Sequence, residues 1–169
     1  GKMKKRGLSL LLALCMLLSV FSALPITASA ASSGQCGDNV HWTLDDNGTL
    51  TISGTGDMWE GYSWKYNTNI KNVILEYGVT SIGGGTFLGC RSLTDISIPN
   101  SVTSIGTLAF SGCLDLPQID IPSSVNVIHA YVFQGCRSLA NINVDTNNQE
   151  YSSLDGNLYN KDQSILYQY

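Results

Sequence analysis

The chain has 169 residues, 43% hydrophobic and 13% charged, enough for one ordinary domain or an elongated repeat array. Its formal charge is −4, but only Lys65, Lys71, Arg91, Arg137 and Lys161 are basic beyond position 30, against thirteen acidic residues, a net of about −8. No basic stripe is available to neutralise phosphates, so nucleic acid and acidic membrane surfaces are poor partners.

The first segment reads as an export signal. "KMKKRG" is basic, "LSLLLALCMLLSVFSALPI" is apolar, and "TASAA" places small residues at Ala28 and Ala30. This order predicts a signal peptide over residues 1–30, cleaved after Ala30. An uncleaved anchor is disfavoured because the small-residue motif follows the apolar run directly. Gly1 and Lys2 precede the expected initiator Met3, and Leu14 ahead of Cys15 argues against lipidation. No other apolar run is long enough to span a membrane, so no span is expected in the mature chain.

Residues 31–69 are expected to form an N-terminal β-hairpin cap. In "HWTLDDNGTLTIS", Trp42, Leu44, Leu50 and Ile52 alternate around a "DDNG" turn. That turn has a calcium-like composition but lacks the twelve-residue spacing and terminal Glu of an EF-hand loop. His41 is expected to face away from Trp42, and Trp59 and Trp64 to lie over the first repeat. Cys36 sits in a loop-like stretch and could pair with a later Cys.

A repeat governs residues 70–145. Phe87, Phe110 and Phe133 are 23 residues apart, and so are Gly89, Gly112 and Gly135. The same step relates Cys90, Cys113 and Cys136, and Ile96, Ile119 and Ile142. A fixed period in the twenties with Leu and Ile at constant offsets predicts a repeat solenoid. The units read 70–92, 93–115 and 116–138, with a divergent last one from Leu139. Within a unit, "LTDISIP" alternates as a half-buried strand, Ile96 and Ile98 inward and Ser97 outward. Pro99 and Pro122 lack an amide donor and end their strands. "SVTSIG" is read as a return turn anchored in the core, and "TLAFSGC" as a short bend or helical turn with Phe110 filling the convex side. Residues 146–169 carry two turn signals between tyrosine-rich strands and are expected to form a C-terminal β-rich cap.

"IPNSVTSIGTLAFSGCLDL" and "IPSSVNVIHAYVFQGCRSL" resemble the BspA-like leucine-rich repeats of secreted bacterial surface proteins. The flanking segments are similar to those found beside such repeats, and the likeness covers about residues 35–169. Thr86 stands where Ala is usual, and His129 where Gly is usual. The resemblance implies a leucine-rich-repeat solenoid with short parallel strands on its concave face, and a role in surface adhesion and protein binding.

The cysteines invite chemical readings. Stacked Cys positions present parallel Cβ vectors, a poor geometry for a disulfide, and a line of like neighbours is no tetrahedral zinc site. Buried free thiols acting as small hydrophobes are the favoured reading. No nucleophile motif accompanies His41 or His129, and "GGG" at 83–85 lacks the Lys of a phosphate loop. No catalytic residue, cofactor or metal is therefore expected, and the chain is read as a non-enzyme.

Function is expected on the outward strand positions Lys71, Asn72, Ile74, Thr94, Asp95, Ser97, Gln118, Asp120, Asn141 and Asn143, with Pro117 and Ala140 among them. Twelve side chains fall short of the roughly 20–30 a side of a stable interface, so weak binding is expected unless the flanks join in. The reading is a monomeric binding or adhesion protein, secreted or on the bacterial cell surface, with an extracellular protein or glycan as partner. The alternative is a non-catalytic module of a larger extracellular enzyme.

Overall fold

The computed structural model describes residues 32–61 and 64–168. The expected signal peptide, residues 1–30, lies outside the described residues. The structure is a solenoid whose coils each carry two short parallel strands rather than one. The first ladder holds β3 (Thr49–Gly54), β5 (Asn72–Leu75) and β7 (Asp95–Ser97), paired in parallel. It resumes with β9 (Gln118–Ile121) and β11 (Asn141–Val144), which pair with each other. The second ladder stacks β4 (Gly56–Asp57), β6 (Val79–Ile82), β8 (Ser104–Ile105) and β10 (Val127–Ile128). "SVTSIG" is thus a strand with its flanks, not a simple return turn: Ile82 and Ile105 pair in register and are both buried.

Partners in these ladders lie 23 residues apart, as the sequence period requires, except Asp57 and Ser81, where a register shift makes the step 24. The pairs Leu50–Val73 and Ile52–Leu75 keep the same step, so residues 49–61 and 64–71 already belong to a coil. Its aromatic is Trp64, which stacks on Phe87 at 5.7 Å between ring centroids. Phe87 stacks on Phe110 at 5.5 Å and Phe110 on Phe133 at 5.9 Å, with interplanar angles of 11° and 7°. Trp64 therefore lies within the aromatic column rather than over it, and Trp42 meets it edge-on at 5.7 Å. Trp59 stays at the surface, its Nε1 donating to Asp38 Oδ1 at 2.9 Å.

The aromatic segments are runs of turns, not helices. The three phenylalanine segments each take left-handed backbone at two places. Gly85, Leu108 and Tyr131 form one such column, with φ of 63°, 59° and 59°. Tyr66, Gly89, Gly112 and Gly135 form the other, with φ between 59° and 73°. The second column explains the repeated Gly before Cys, because a side chain at positive φ costs about 1–2 kcal/mol.

Antiparallel strands stand at both ends. β1 (Ser32–Gly37) and β2 (Val40–Leu44) extend the first ladder through β3, so this hairpin continues the sheet edgewise. Asp45 Oδ1 closes the β2–β3 turn by accepting from Asn47 N and Thr49 N. Cys36 belongs to β1, where it is fully buried, and not to a loop. At the other end β12 (Tyr151–Leu154), β13 (Asn157–Asn160) and β14 (Leu166–Gln168) form a three-stranded sheet. It is joined to the last coil by Ile142 N donating to Gly156 O at 2.9 Å.

Candidate binding face

The outward positions of the first ladder fall into rows because parallel strands in register place every side chain beside its equivalent one coil away. Asn72 lies in register with Asp95, and Gln118 with Asn141. Ile74 faces Ser97, and Asp120 faces Asn143. Lys71, Thr94, Pro117 and Ala140 stand one residue ahead of their strands. Thr94 N and Oγ1 both donate to Lys71 O, and Ala140 N donates to Pro117 O. Of the ten predicted positions, Asn72 is half-buried and the rest are exposed. Ile74, 42% exposed, is the large apolar side chain of these rows, beside the small Pro117 and Ala140. Asn143 Nδ2 donates to Asp120 Oδ1 at 2.8 Å, which fixes one carboxylate of the face.

The rows run further than the predicted set. The Ile74 row continues through Thr51, Thr43 and Ser33, and the Asn72 row through Thr49. Gln35, His41 and Ser53 form a further row. Subtracting one period from Asn72 and Ile74 gives Thr49 and Thr51, so the signal was present in the sequence but carried by unlike residues. These seven side chains raise the face from twelve positions to about nineteen, near the roughly 20–30 of a stable interface. The surface is hydroxyl- and amide-rich, with Lys71, Asp95 and Asp120 as its charges and His41 at its edge.

The thiols sit inside. Cys36, Cys90, Cys113 and Cys136 are free. Cys90 Sγ donates to Trp64 O at 3.1 Å, Cys113 Sγ to Phe87 O at 3.3 Å, and Cys136 Sγ to Phe110 O at 3.1 Å. Burial pushes the Cys36 and Cys90 thiols up to about 11 and raises Cys113 and Cys136 as well. Such thiols are held protonated and are poor nucleophiles. Among the described residues no three His, Cys, Asp or Glu side chains converge as metal ligands would, and no helix is long and apolar enough to cross a membrane.

Comparison with known proteins places this architecture. A solved leucine-rich repeat protein from Eubacterium ventriosum is 26% identical, with a TM-score of 0.50 over 83% of this chain and 51% of that one. The pneumococcal vaccine antigen PcpA is 15% identical, with a TM-score of 0.53 over 82% of this chain and 56% of that one. A leucine rich cell surface protein from Faecalibacterium prausnitzii is 19% identical, with a TM-score of 0.52 over 84% of this chain and 62% of that one. The chain spans less than two thirds of each of these structures. No curated protein sequence matches it significantly. The model of the BspA type leucine rich repeat region matches six copies across residues 60–158, more than half of the sequence, and the chain belongs to that family.

Proposed function

We propose that the chain is a secreted or cell-surface binding protein that uses the first-ladder face to hold an extracellular protein or glycan, with no chemistry of its own. The observation that carries this reading is the continuity of the outward rows from the hairpin strands into the coils. Ser33, Thr43, Thr51, Ile74 and Ser97 follow one another in register, so hairpin and repeats present one surface. The export signal read at residues 1–30 and the adhesive role associated with the family support the extracellular setting. Most of the face is short Ser, Thr and Asn side chains, which cost less entropy to order than long ones, and this favours recognition by many shared hydrogen bonds.

The test is a screen of the purified chain against extracellular-matrix proteins and glycans at low and physiological salt. The Asp95→Lys, Asp120→Lys double variant is run beside it. A ligand of this face loses or gains affinity with the charge reversal, mainly through its on-rate and salt dependence. A ligand bound equally by both proteins would place recognition elsewhere.

A further inference from the structure

A second surface has a different chemistry. Arg91 and Arg137 are the only arginines beyond position 30, and both line one groove, two coils apart, where the aromatic turn runs into the next strand. Both are exposed, and among the described residues neither guanidinium has a carboxylate or hydrogen-bond partner. Leu88 and Leu114 give the groove an apolar floor, and Gly89 and Gly112 leave it flat. Tyr66 closes one end. It occupies the column filled by glycine in the next three coils, and it does so at φ 59°. Its ring lies against Gly89, where a Cβ would meet Tyr66 Cδ1 at 2.4 Å, yet the residue is 64% exposed. Leu108 and Tyr131 share this φ because the coil imposes it; what sets Tyr66 apart is an exposed ring lining the groove where the next coils carry glycine.

We propose that this groove binds an acidic polysaccharide, with one sugar ring stacked on Tyr66 and carboxylates on Arg91 and Arg137. Each guanidinium is a planar fork suited to bidentate capture of a carboxylate. In a protein of negative net charge, two unpaired arginines in one groove are a local exception that favours an anion. Arg91 and Arg137 stand two coils apart in the groove, with the exposed ring of Tyr66 at one end. That ring favours a ligand with flat sugar rings between its carboxylates. A helical peptide needs a continuous apolar stripe to seat on, and two leucines do not supply it. A polysaccharide with a carboxylate on every second sugar presents charges on one edge and flat rings to the tyrosine.

The test is calorimetric titration of the purified chain with a hyaluronan octasaccharide, a heparin octasaccharide, cellohexaose and a polyglutamate peptide at low salt. Hyaluronan binds, and its affinity falls with added salt. Arg91→Gln and Arg137→Gln each weaken it roughly tenfold, the loss of one charge-assisted hydrogen-bond pair. Tyr66→Gly weakens it while keeping the fold, since glycine is the residue of that column elsewhere. Asp95→Asn with Asp120→Asn leaves it unchanged, which separates this site from the strand face. The proposal is overturned by absence of hyaluronan binding, by binding that survives both arginine changes, or by indifference to Tyr66→Gly. Tighter arginine-dependent binding of polyglutamate, or of heparin, also overturns it, in favour of a peptide or a sulfated ligand respectively.

Discussion

Cys113 Sγ lies 3.3 Å from the carbonyl oxygen of Phe87, which already accepts the backbone N–H of Cys90 at 3.0 Å. The thiol fills that carbonyl's second lone pair from the coil behind. Cys136 does the same for Phe110, which also accepts Cys113 N. The repeated Cys is therefore an inter-coil donor of small volume. Cys113→Val removes the donor and adds a methyl to a closed space, at a cost of about 2–3 kcal/mol. Cys113→Ser keeps a donor and costs about 1 kcal/mol less than that. Urea midpoints of the two variants, at constant m-value, give the comparison.

Thiol titration follows from the same burial. The folded Cys36 and Cys90 thiols titrate near 11, above the ordinary 9.0, because desolvation penalises the thiolate. The unfolded chain therefore sheds these protons first as pH rises. Their contribution to stability is complete below pH 9 and is lost between about 9 and 11. Denaturant midpoints should fall across that window and be flat below it. At pH 8 a disulfide reagent should find Cys136, the partly exposed member, before the other three, and all four only in urea. Rapid modification of Cys113 in the folded protein would contradict the buried ladder.

Asn148 holds the C-terminal strands to the last coil. It is fully buried, where Val102 and Val125 stand in earlier coils. Its Nδ2 donates to Pro122 O at 2.9 Å and Val125 O at 2.8 Å, and its Oδ1 accepts from Glu150 N and Tyr151 N. Asn148→Val matches the column's usual residue but orphans these backbone groups, with an expected loss of about 2–4 kcal/mol. The loss should be local first. Amide exchange in Tyr151–Asn160 should accelerate before that of β9, because only the former strands hang from this side chain.

Gly112 tests the left-handed column. Its φ is 72°, and an added Cβ would lie 3.5 Å from Gly89 Cα, so space is adequate and strain is the issue. Gly112→Ala should cost about 1–2 kcal/mol. Gly112→Asn should cost less, because Asn tolerates this region better. Equal losses would mean that packing rather than backbone conformation sets the preference.

Much of this was legible because the period is carried by identical residues: Phe87, Phe110 and Phe133, and the cysteines behind them. The second ladder was harder to read. β8 and β10 are two residues long, too short to show alternation, and their hydrogen bonds to neighbouring coils define them. The coil that begins at β3 was hidden for another reason. Trp64 replaces Phe and keeps an aromatic in the column, while Asn67 replaces Cys and its Oδ1 accepts from Asn69 N instead of donating to another coil. Arg91 and Arg137 follow the Cys of the repeated "GCRSL", and only the stacking of coils brings them to one groove.

Phe110 gives the last test, of how the coils depend on one another. Its ring touches Phe87 on one side and Phe133 on the other, at nearly parallel angles. In a solenoid, stability is approximately a sum of coil and nearest-neighbour terms. Phe110→Ala removes two ring interfaces and leaves a cavity between coils, so it should cost about 3–5 kcal/mol. Phe133→Ala removes one stacked ring partner, so it should cost less although the side chain is the same. The central change should also lower the m-value, as the coils before and after it begin to unfold separately. A single transition with an unchanged m-value for Phe110→Ala would show that the ladders alone keep the coils cooperative.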